Sequence, residues 1–354
     1  MSIRETTAKA AGVGLVLAGT GAVCAGAIAA YAVATWRKPS RELVGKVALI
    51  TGGSRGLGLA IAEEFGRRGA KLALAARDVA ELEKARALLV KRGAASKKED
   101  VFIYPCDLRQ FEEAERLVEK TRAHFGALDF LVNNAGIITV GPIENQSIED
   151  FRDVMNTNFF AGLHCTLAAL PQMLAQGRGS IVNITSIGGK VAVPHMLPYV
   201  ASKFAAVGFS EGLYAELRSK GIRVTTVCPG LMRTGSHLNA SFAGDAEREY
   251  RWFSLSAGLP GLSTSARRAA RKIVRASIAG RSEIAITLQA VLATRFADIC
   301  PEITLRAMER VARTLPAATS AATKHRGSEV RGREVKPAMA LANAAARHYN
   351  QTGG

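Results

Sequence analysis

Apolar and polar positions along this chain follow two rhythms that take turns. Short, nearly continuous apolar runs occur at KVALI (46–50), KLALAA (71–76), VFIYPCD (101–107), LDFLVNNAG (128–136), GSIVNITS (179–186) and IRVTTVCPG (222–230). Such runs, bounded by turn residues, read as strands buried on both faces. Between them, apolar residues recur every three or four positions in LGLAIAEEFGRRG (57–69), AELEKARALLVKRG (80–93), FEEAERLVEKTRAHFG (111–126), the long region 148–177 and YVASKFAAVGFSEGLYAELRSKG (199–221). That spacing is the apolar stripe of a helix. SEIAIT (282–287) offers one further strand. Strands alternating with helices predict an α/β fold, one domain over 41–290 with a parallel sheet, right-handed crossovers and helices on both faces.

Both ends depart from this rhythm. Residues 11–36 contain no charged side chain and are rich in Ala and Gly, including Ala22 and Gly26 one helical turn apart. A bilayer needs about 20 apolar residues, so a transmembrane anchor is expected within the segment 1–40. Arg37, Lys38 and Arg41 follow the run, whereas Glu5 accompanies Arg4 and Lys9 before it, which places the main domain in the cytoplasm. A soluble Ala/Gly helix, hence a soluble cytoplasmic protein, is the alternative. Residues 235–263 show no clean period, and Trp252, Phe253 and Leu255 there supply an apolar inner surface. Leading into the C-terminal segment 291–354, LQAVLATRFADICPEITLRAMERVARTLP (288–316) carries amphipathic helices broken at Pro301. From Ala317 on, small, polar and basic residues predict a poorly ordered tail, with a short helix in PAMALANAAARHY.

Composition narrows the chemistry. The 354 residues carry a net charge of +17, concentrated in RRAARKIVR (267–275) and in the tail. The run reads as a solvated helix face. Aromatic residues make up only 6%, and no nucleic-acid module signature is present, so nucleic acid is not an expected partner. The five cysteines form no C-x-x-C pair and the six histidines no H-E-x-x-H. Neither a disulfide framework nor a metal site is expected, and a reducing compartment fits.

TGGSRGLG (51–58) joins the first strand to the first helix, with Gly52, Gly56 and Gly58 spaced G-x-x-x-G-x-G. Glycine allows the tight turn and the close approach of backbone to a pyrophosphate, and the helix start presents free N–H groups to that anion. Ser54, Arg55 and Leu57 complete this cradle. The context predicts a dinucleotide cofactor and a Rossmann-type doubly wound sheet. At the end of the second strand stands Arg77, whose guanidinium suits a ribose 2′-phosphate. Arg55 offers a second positive charge. The adjacent Asp78 is the competing reader of a free 2′-OH. NADP(H) is therefore preferred over NAD(H).

TGGSRGLG, CDL (106–108), NNAG (133–136), Asn158, Ser186, YVASK (199–203) and PG (229–230) occur together in an order and at separations that resemble the short-chain dehydrogenase/reductase family, over residues 45 to about 235. The resemblance implies roles for the matching residues. Tyr199 would be the acid/base. Lys203 would lower its pKa and hold the nicotinamide ribose. Ser186 would hydrogen-bond the substrate carbonyl, and Asn158, rather than Asn156, would hold a water in a proton relay. Asp107 would approach the adenine, Asn133, Asn134 and Gly136 would line the adenosine side, and Pro229, Gly230 and Thr234 would flank the nicotinamide. It also implies that 235–263 is a flap over the substrate and that the chain forms a homo-oligomer, a dimer or tetramer.

The chemistry agrees with that assignment. Reducing a carbonyl needs a hydride on carbon and a proton on oxygen; the cofactor carries the first and the protein supplies the second. Tyr199 and Lys203 lie one helical turn apart, so the ammonium is expected to favour phenolate and bring the phenol toward the operating pH. His195 reads as a pocket-rim or structural residue, and Cys228 and Met196 as packing near the pocket. The expected function is interconversion of a ketone or aldehyde and an alcohol on a small lipophilic substrate. A β-ketoacyl thioester reductase and a non-catalytic NADP-binding membrane scaffold are the alternatives.

Overall fold

The computed structural model describes residues 43–258, 263–320, 323–330 and 340–351; the apolar stretch 11–36 lies outside them. Seven strands form one sheet: β1 (Val47–Thr51), β2 (Lys71–Ala76), β3 (Val101–Pro105), β4 (Phe130–Asn133), β5 (Gly179–Ile184), β6 (Ile222–Cys228) and β7 (Glu283–Ala285). Their order is β7-β6-β5-β4-β1-β2-β3, and every neighbouring pair is parallel. The helices are α1 (Gly56–Gly66), α2 (Val79–Lys91), α3 (Phe111–Phe125), α4 (Ile148–Met155), α5 (Ala161–Gln176), α6 (Leu197–Leu217), α7 (Ala246–Gly258), α8 (Ala266–Ala279), α9 (Leu288–Ile299), α10 (Pro301–Ala312) and α11 (Ala340–His348).

The strands read as unbroken apolar runs because both faces of the sheet are covered. Ala48 and Ile50 of β1 pack with α1, α2 and α8 on one side. Leu49 between them packs with α3 and α5 on the other. The basic run lies on α8, with Arg267, Arg268, Arg271 and Arg275 exposed and Ala269, Ala270, Ile273 and Val274 buried. It is the outer face of an amphipathic helix.

Three expectations are modified. The long helical region 148–177 divides into α4 and α5 around a π-helical turn, Asn156–Phe160. A single wide turn leaves the apolar rhythm on either side legible and is itself invisible in that rhythm. The aperiodic 235–263 contains α7 and a short strand, Ser241–Phe242, that pairs with Thr139–Val140. The tail beyond Ala317 is corrected for its described part. His325–Arg326 pairs antiparallel with Ser241–Phe242, and Ala346 and Tyr349 are buried, Tyr349 against the α1–α2 side of the core. Those two residues sit one turn apart, an apolar stripe hidden in a polar, basic composition.

α9 and α10 meet at Pro301. Much of their apolar surface faces outward: Leu288, Leu292, Ile299, Ile303 and Leu305 are 57–78% exposed. Among the described residues, no helix is long and apolar enough to cross a membrane.

Candidate active site

Strand order creates the site. From edge strand β3 the chain crosses back to β4, on the far side of β1, so the loops leaving β1 and β4 diverge and open a crevice at the carboxyl ends of the strands. A cavity of about 750 Å³ fills it. The loops after successive strands bring to its wall Gly52, Ser54, Arg55, Leu57 and Gly58 (β1), Arg77 and Asp78 (β2), Asp107 (β3), Asn134 and Gly136 (β4), Ser186 (β5), and Pro229, Gly230 and Thr234 (β6), together with Tyr199 and Lys203 from α6.

The glycine turn is close-packed in a way only glycine permits. Gly52 and Gly56 have φ of 61° and 57°. A Cβ on Gly58 would lie 2.1 Å from the Gly52 carbonyl oxygen and 2.6 Å from Asn134 Nδ2. The Thr51 hydroxyl accepts from the Asn134 and Ala135 amides at 2.9 and 3.0 Å, and Asn134 Nδ2 donates back to Thr51 O at 2.9 Å. These bonds stitch β1 to β4 at the crevice floor. A glycine turn at a helix start, with Leu57 and Gly58 at the wall of a crevice that has Arg55 and Arg77 on its rim, fits a dinucleotide.

On the ribose side the charges sort themselves. Asp78 caps α2, accepting from Glu81 N at 3.0 Å. Glu81 takes Arg55 at 2.8 Å and the Ser54 hydroxyl at 3.0 Å, so the Arg55 charge is compensated rather than offered. Asp107 is held by the Arg109 fork at 2.9 and 2.6 Å, which keeps its carboxyl below the usual range. Arg77 is exposed and, among the described residues, makes no ion pair.

At the other end, Pro198 opens α6 and Tyr199 and Lys203 follow on its first turns. Ser186 lies just past β5 in extended backbone, its Oγ accepting from Gly188 N at 3.0 Å and near enough to the Tyr199 phenol to draw its pKa downward. Lys203 is 5% exposed; its Nζ donates to Ile184 O at 3.0 Å and stands 5.7 Å from the centre of the Tyr199 ring. The π-helical turn directs Asn158 inward, where Oδ1 accepts from Ile137 N at 2.7 Å and Nδ2 donates to Ile137 O and Ser202 Oγ, each at 3.0 Å. Asn158 thus braces the segment behind Gly136 without itself lining the cavity, while Asn156 is exposed.

The proton chemistry differs from the expected. Burial raises the Tyr199 pKa above its ordinary 10.0, and the hydrogen bond with Ser186 pulls it partly back. Burial acts on Lys203 as well, pushing its pKa down to about 8.

Three further assignments move. Asn133 does not face the adenosine side. Its Nδ2 donates to Thr166 Oγ1 at 3.0 Å and Asn183 Oδ1 at 2.9 Å in a buried network that continues through Ser210 to Thr226. Neighbouring residues at a strand end point to opposite faces, so Asn134 and Asn133 divide between crevice and core. Asn133→Ala is therefore expected to destabilise the fold by about 1–3 kcal/mol, because it leaves buried partners unpaired. Urea denaturation would measure this, and a change below 0.5 kcal/mol, the range of a surface substitution, would contradict the network. Leu255 is exposed, whereas Trp252 and Phe253 line the cavity. Gly56 lies outside the cavity wall, against Gln351.

His195 is structural. It has φ 61°, and its Nδ1 sits 2.7 Å from Oε1 of Glu249, which is fully buried and also receives Trp252 Nε1 at 2.5 Å. This pair fastens α7, and with it Trp252, to the loop before α6. Cys228 is buried beside Thr185, and Met196 reaches the cavity. Sequence reasoning missed Glu81 and Gln351. The first was findable, since Asp-x-x-Glu at a helix start is a capping pattern; nothing local marks the second.

The family model described as short chain dehydrogenase matches residues 46–242. The Dehydrogenase/reductase SDR family protein 7-like of Anopheles gambiae is 40% identical over 204 residues, 58% of this chain and 64% of that protein. The 11-beta-hydroxysteroid dehydrogenase-like 4A of Arabidopsis thaliana is 38% identical over 200 residues, 56% of this chain and 65% of that protein. The chain thus spans less than two thirds of the length of either relative. A solved structure of a short-chain dehydrogenase from Streptomyces avermitilis superposes with a TM-score of 0.64 at 29% identity, covering 76% of this chain and 97% of that one.

Proposed function

Because this chain belongs to the short chain dehydrogenase family, we propose that it interconverts a ketone or aldehyde and the corresponding alcohol on an apolar substrate, with NADP(H) as cofactor and Tyr199 as the acid/base. The observation that carries this reading is convergence: the Ser186 hydroxyl, the Tyr199 phenol and the Lys203 ammonium meet at one end of a single cavity that has Arg77 at the other.

The cofactor supplies the hydride; the rest falls to the chain. Burial keeps Tyr199 protonated at neutral pH, so it is poised as the donor to a carbonyl oxygen in the reductive direction. Ser186 presents a second hydroxyl to the same oxygen, where negative charge develops. Lys203 holds a positive charge beneath the phenol and would hold the nicotinamide ribose, while Asn158 would hold a water on the path of the replacement proton. Val193, Met196, Leu231, Trp252 and Phe253 give this end an apolar wall. That wall supports a lipophilic carbonyl, as does the hydroxysteroid dehydrogenase name of the Arabidopsis relative. The apolar stretch 11–36 and the outward apolar faces of α9 and α10 support attachment to a membrane, the source of such substrates.

Arg77 supports NADP(H) because it is exposed at the cavity wall and makes no ion pair among the described residues, while Asp78 is occupied as a helix cap. Titrating NADPH and NADH into wild type and Arg77→Ala, followed by cofactor fluorescence, tests this. NADPH is expected to bind at least about tenfold more tightly, and the substitution to remove most of that margin by deleting a charge-assisted contact. Equal affinities in the wild type would assign the ribose to Asp78 and the cofactor to NAD(H). Binding of NADPH without turnover of any lipophilic carbonyl would favour the scaffold reading.

A further inference from the structure

After α11 the chain does not leave the surface. It runs across the outside of the glycine turn. Gly56 N donates to Tyr349 O at 2.8 Å. Asn350, in a left-handed conformation at φ 55° and 5% exposed, donates from Nδ2 to Ser54 O at 3.1 Å. Arg92 donates to His348 O at 2.5 Å and lies over the Tyr349 ring. Gln351, 9% exposed, is held at its other side by Asn239, whose Nδ2 donates to Gln351 Oε1 at 2.5 Å and Gln351 O at 3.2 Å. The segment 349–351 is therefore a strap from the glycine turn to residues 235–239. Gly235 fits beneath it only as glycine, since a Cβ there would lie 2.5 Å from Ala346 Cβ and 3.0 Å from Gln351 Cβ.

We propose that Gln351 is a cofactor-binding residue, whose carboxamide NH2 donates to the pyrophosphate oxygens above the glycine turn while Asn239 holds its carbonyl end. Three observations carry this. Gln351 lines the same cavity as Gly52, Arg55 and Gly58. Its Nε2 lies against Gly56, 2.2 Å from where a Cβ would stand, beside Leu57 and Gly58 of the helix start, which line the cavity. The oxygen of that amide is bound by Asn239, whereas its NH2 has no acceptor among the described residues. An amide NH2 left without an acceptor at the wall of this cavity, beside an anion-binding turn, is free to donate to an anion there. The strap is a wall of the cavity rather than a plug, because the cavity stays continuous from Arg77 to Tyr199.

The inference rests on the cofactor reading above, so the test separates the two. NADPH is titrated into the full chain, wild type, Gln351→Ala and Gln351→Glu, at low and high salt. Gln351→Glu keeps an acceptor for Asn239 and so keeps the strap anchored, but turns a carboxylate toward the phosphates. Gln351→Ala is expected to weaken NADPH binding roughly tenfold, the loss of one hydrogen bond to a charged group. Gln351→Glu is expected to weaken it further, with the excess shrinking as salt screens the repulsion. Hydrogen exchange on the wild type is expected to slow at both 349–351 and the first turn of α1 when NADPH is added. Tighter binding by the variants, or faster exchange at 349–351, would mean that the strap competes with the cofactor, and the proposal fails. Wild-type affinity in Gln351→Glu overturns it as well, since only the fold would then need the strap. If the wild type binds neither NADPH nor NADH, the cofactor reading fails and this one with it.

Discussion

Replacing Tyr199 by Phe is expected to lower kcat for carbonyl reduction by about 10²–10⁴-fold, the usual contribution of a positioned proton donor, while NADPH affinity stays within about twofold. The substitution deletes one oxygen and leaves the ring in place between Ser186, Gly188 and Lys203. The loss should therefore appear in turnover and not in the fold. Steady-state oxidation of NADPH with a lipophilic ketone, alongside a binding titration, measures both. The raised pKa of Tyr199 gives the experiment direction: a phenol that keeps its proton at neutral pH is suited to donate it, so the deficit should be plain in reduction at pH 7. If the Phe variant turns over within about tenfold of wild type, another group delivers the proton and the mechanism proposed here is wrong.

The second large effect concerns Lys203, where catalysis and stability pull apart. Burial moves its pKa from 10.5 to about 8. At 1.36 kcal/mol per pH unit, carrying the charged amine into the folded state costs about 3 kcal/mol. Below pH 8 lysine is charged in both folded and unfolded chains, so that cost is fully present. Between pH 8 and 10.5 the unfolded chain binds more protons than the folded one, so this contribution to stability rises with pH. Lys203→Met fills similar space without charge and loses the bond to Ile184 O, worth about 1 kcal/mol. The variant is expected to be about 2 kcal/mol more stable than wild type at pH 7, to lose that advantage toward pH 10.5, and to be nearly inactive. Urea denaturation of both proteins at pH 7 and pH 10 checks it. A Met variant less stable than wild type at pH 7 would show that the buried ammonium is compensated by something other than the Ile184 carbonyl. The gain in stability on losing activity is the pattern expected where a site holds a charge for function.

Much of the site was legible because its signals are local. Glycine spacing dictates a turn, a Tyr four residues before a Lys dictates a shared helix face, and residues just after apolar runs sit at strand ends. The parallel order of the strands turns those ends into one crevice. Where the signal was ambiguous by a residue or two, local spacing alone did not choose. Asn133 and Asn134 are equivalent in sequence, but one enters a buried amide network and the other the crevice floor. Arg55, Arg77 and Asp78 all stand near the ribose position, and their roles depend on Glu81, which neutralises Arg55 and receives the cap from Asp78.

The order of strands and helices, the glycine turn and the placing of Tyr199 and Lys203 on one helix face were determined by the sequence alone, because each depends on residues within one element or one turn. The tertiary structure alone decided the rest. It set the proton affinities of Tyr199 and Lys203, which depend on how much water the whole fold excludes. It turned Asn158 inward through one π-helical turn that leaves no periodic trace. It also laid Gln351, nearly 300 positions along the chain from Gly56, against the glycine turn. Such contacts form only when the packed core brings distant segments together, and no local pattern records them.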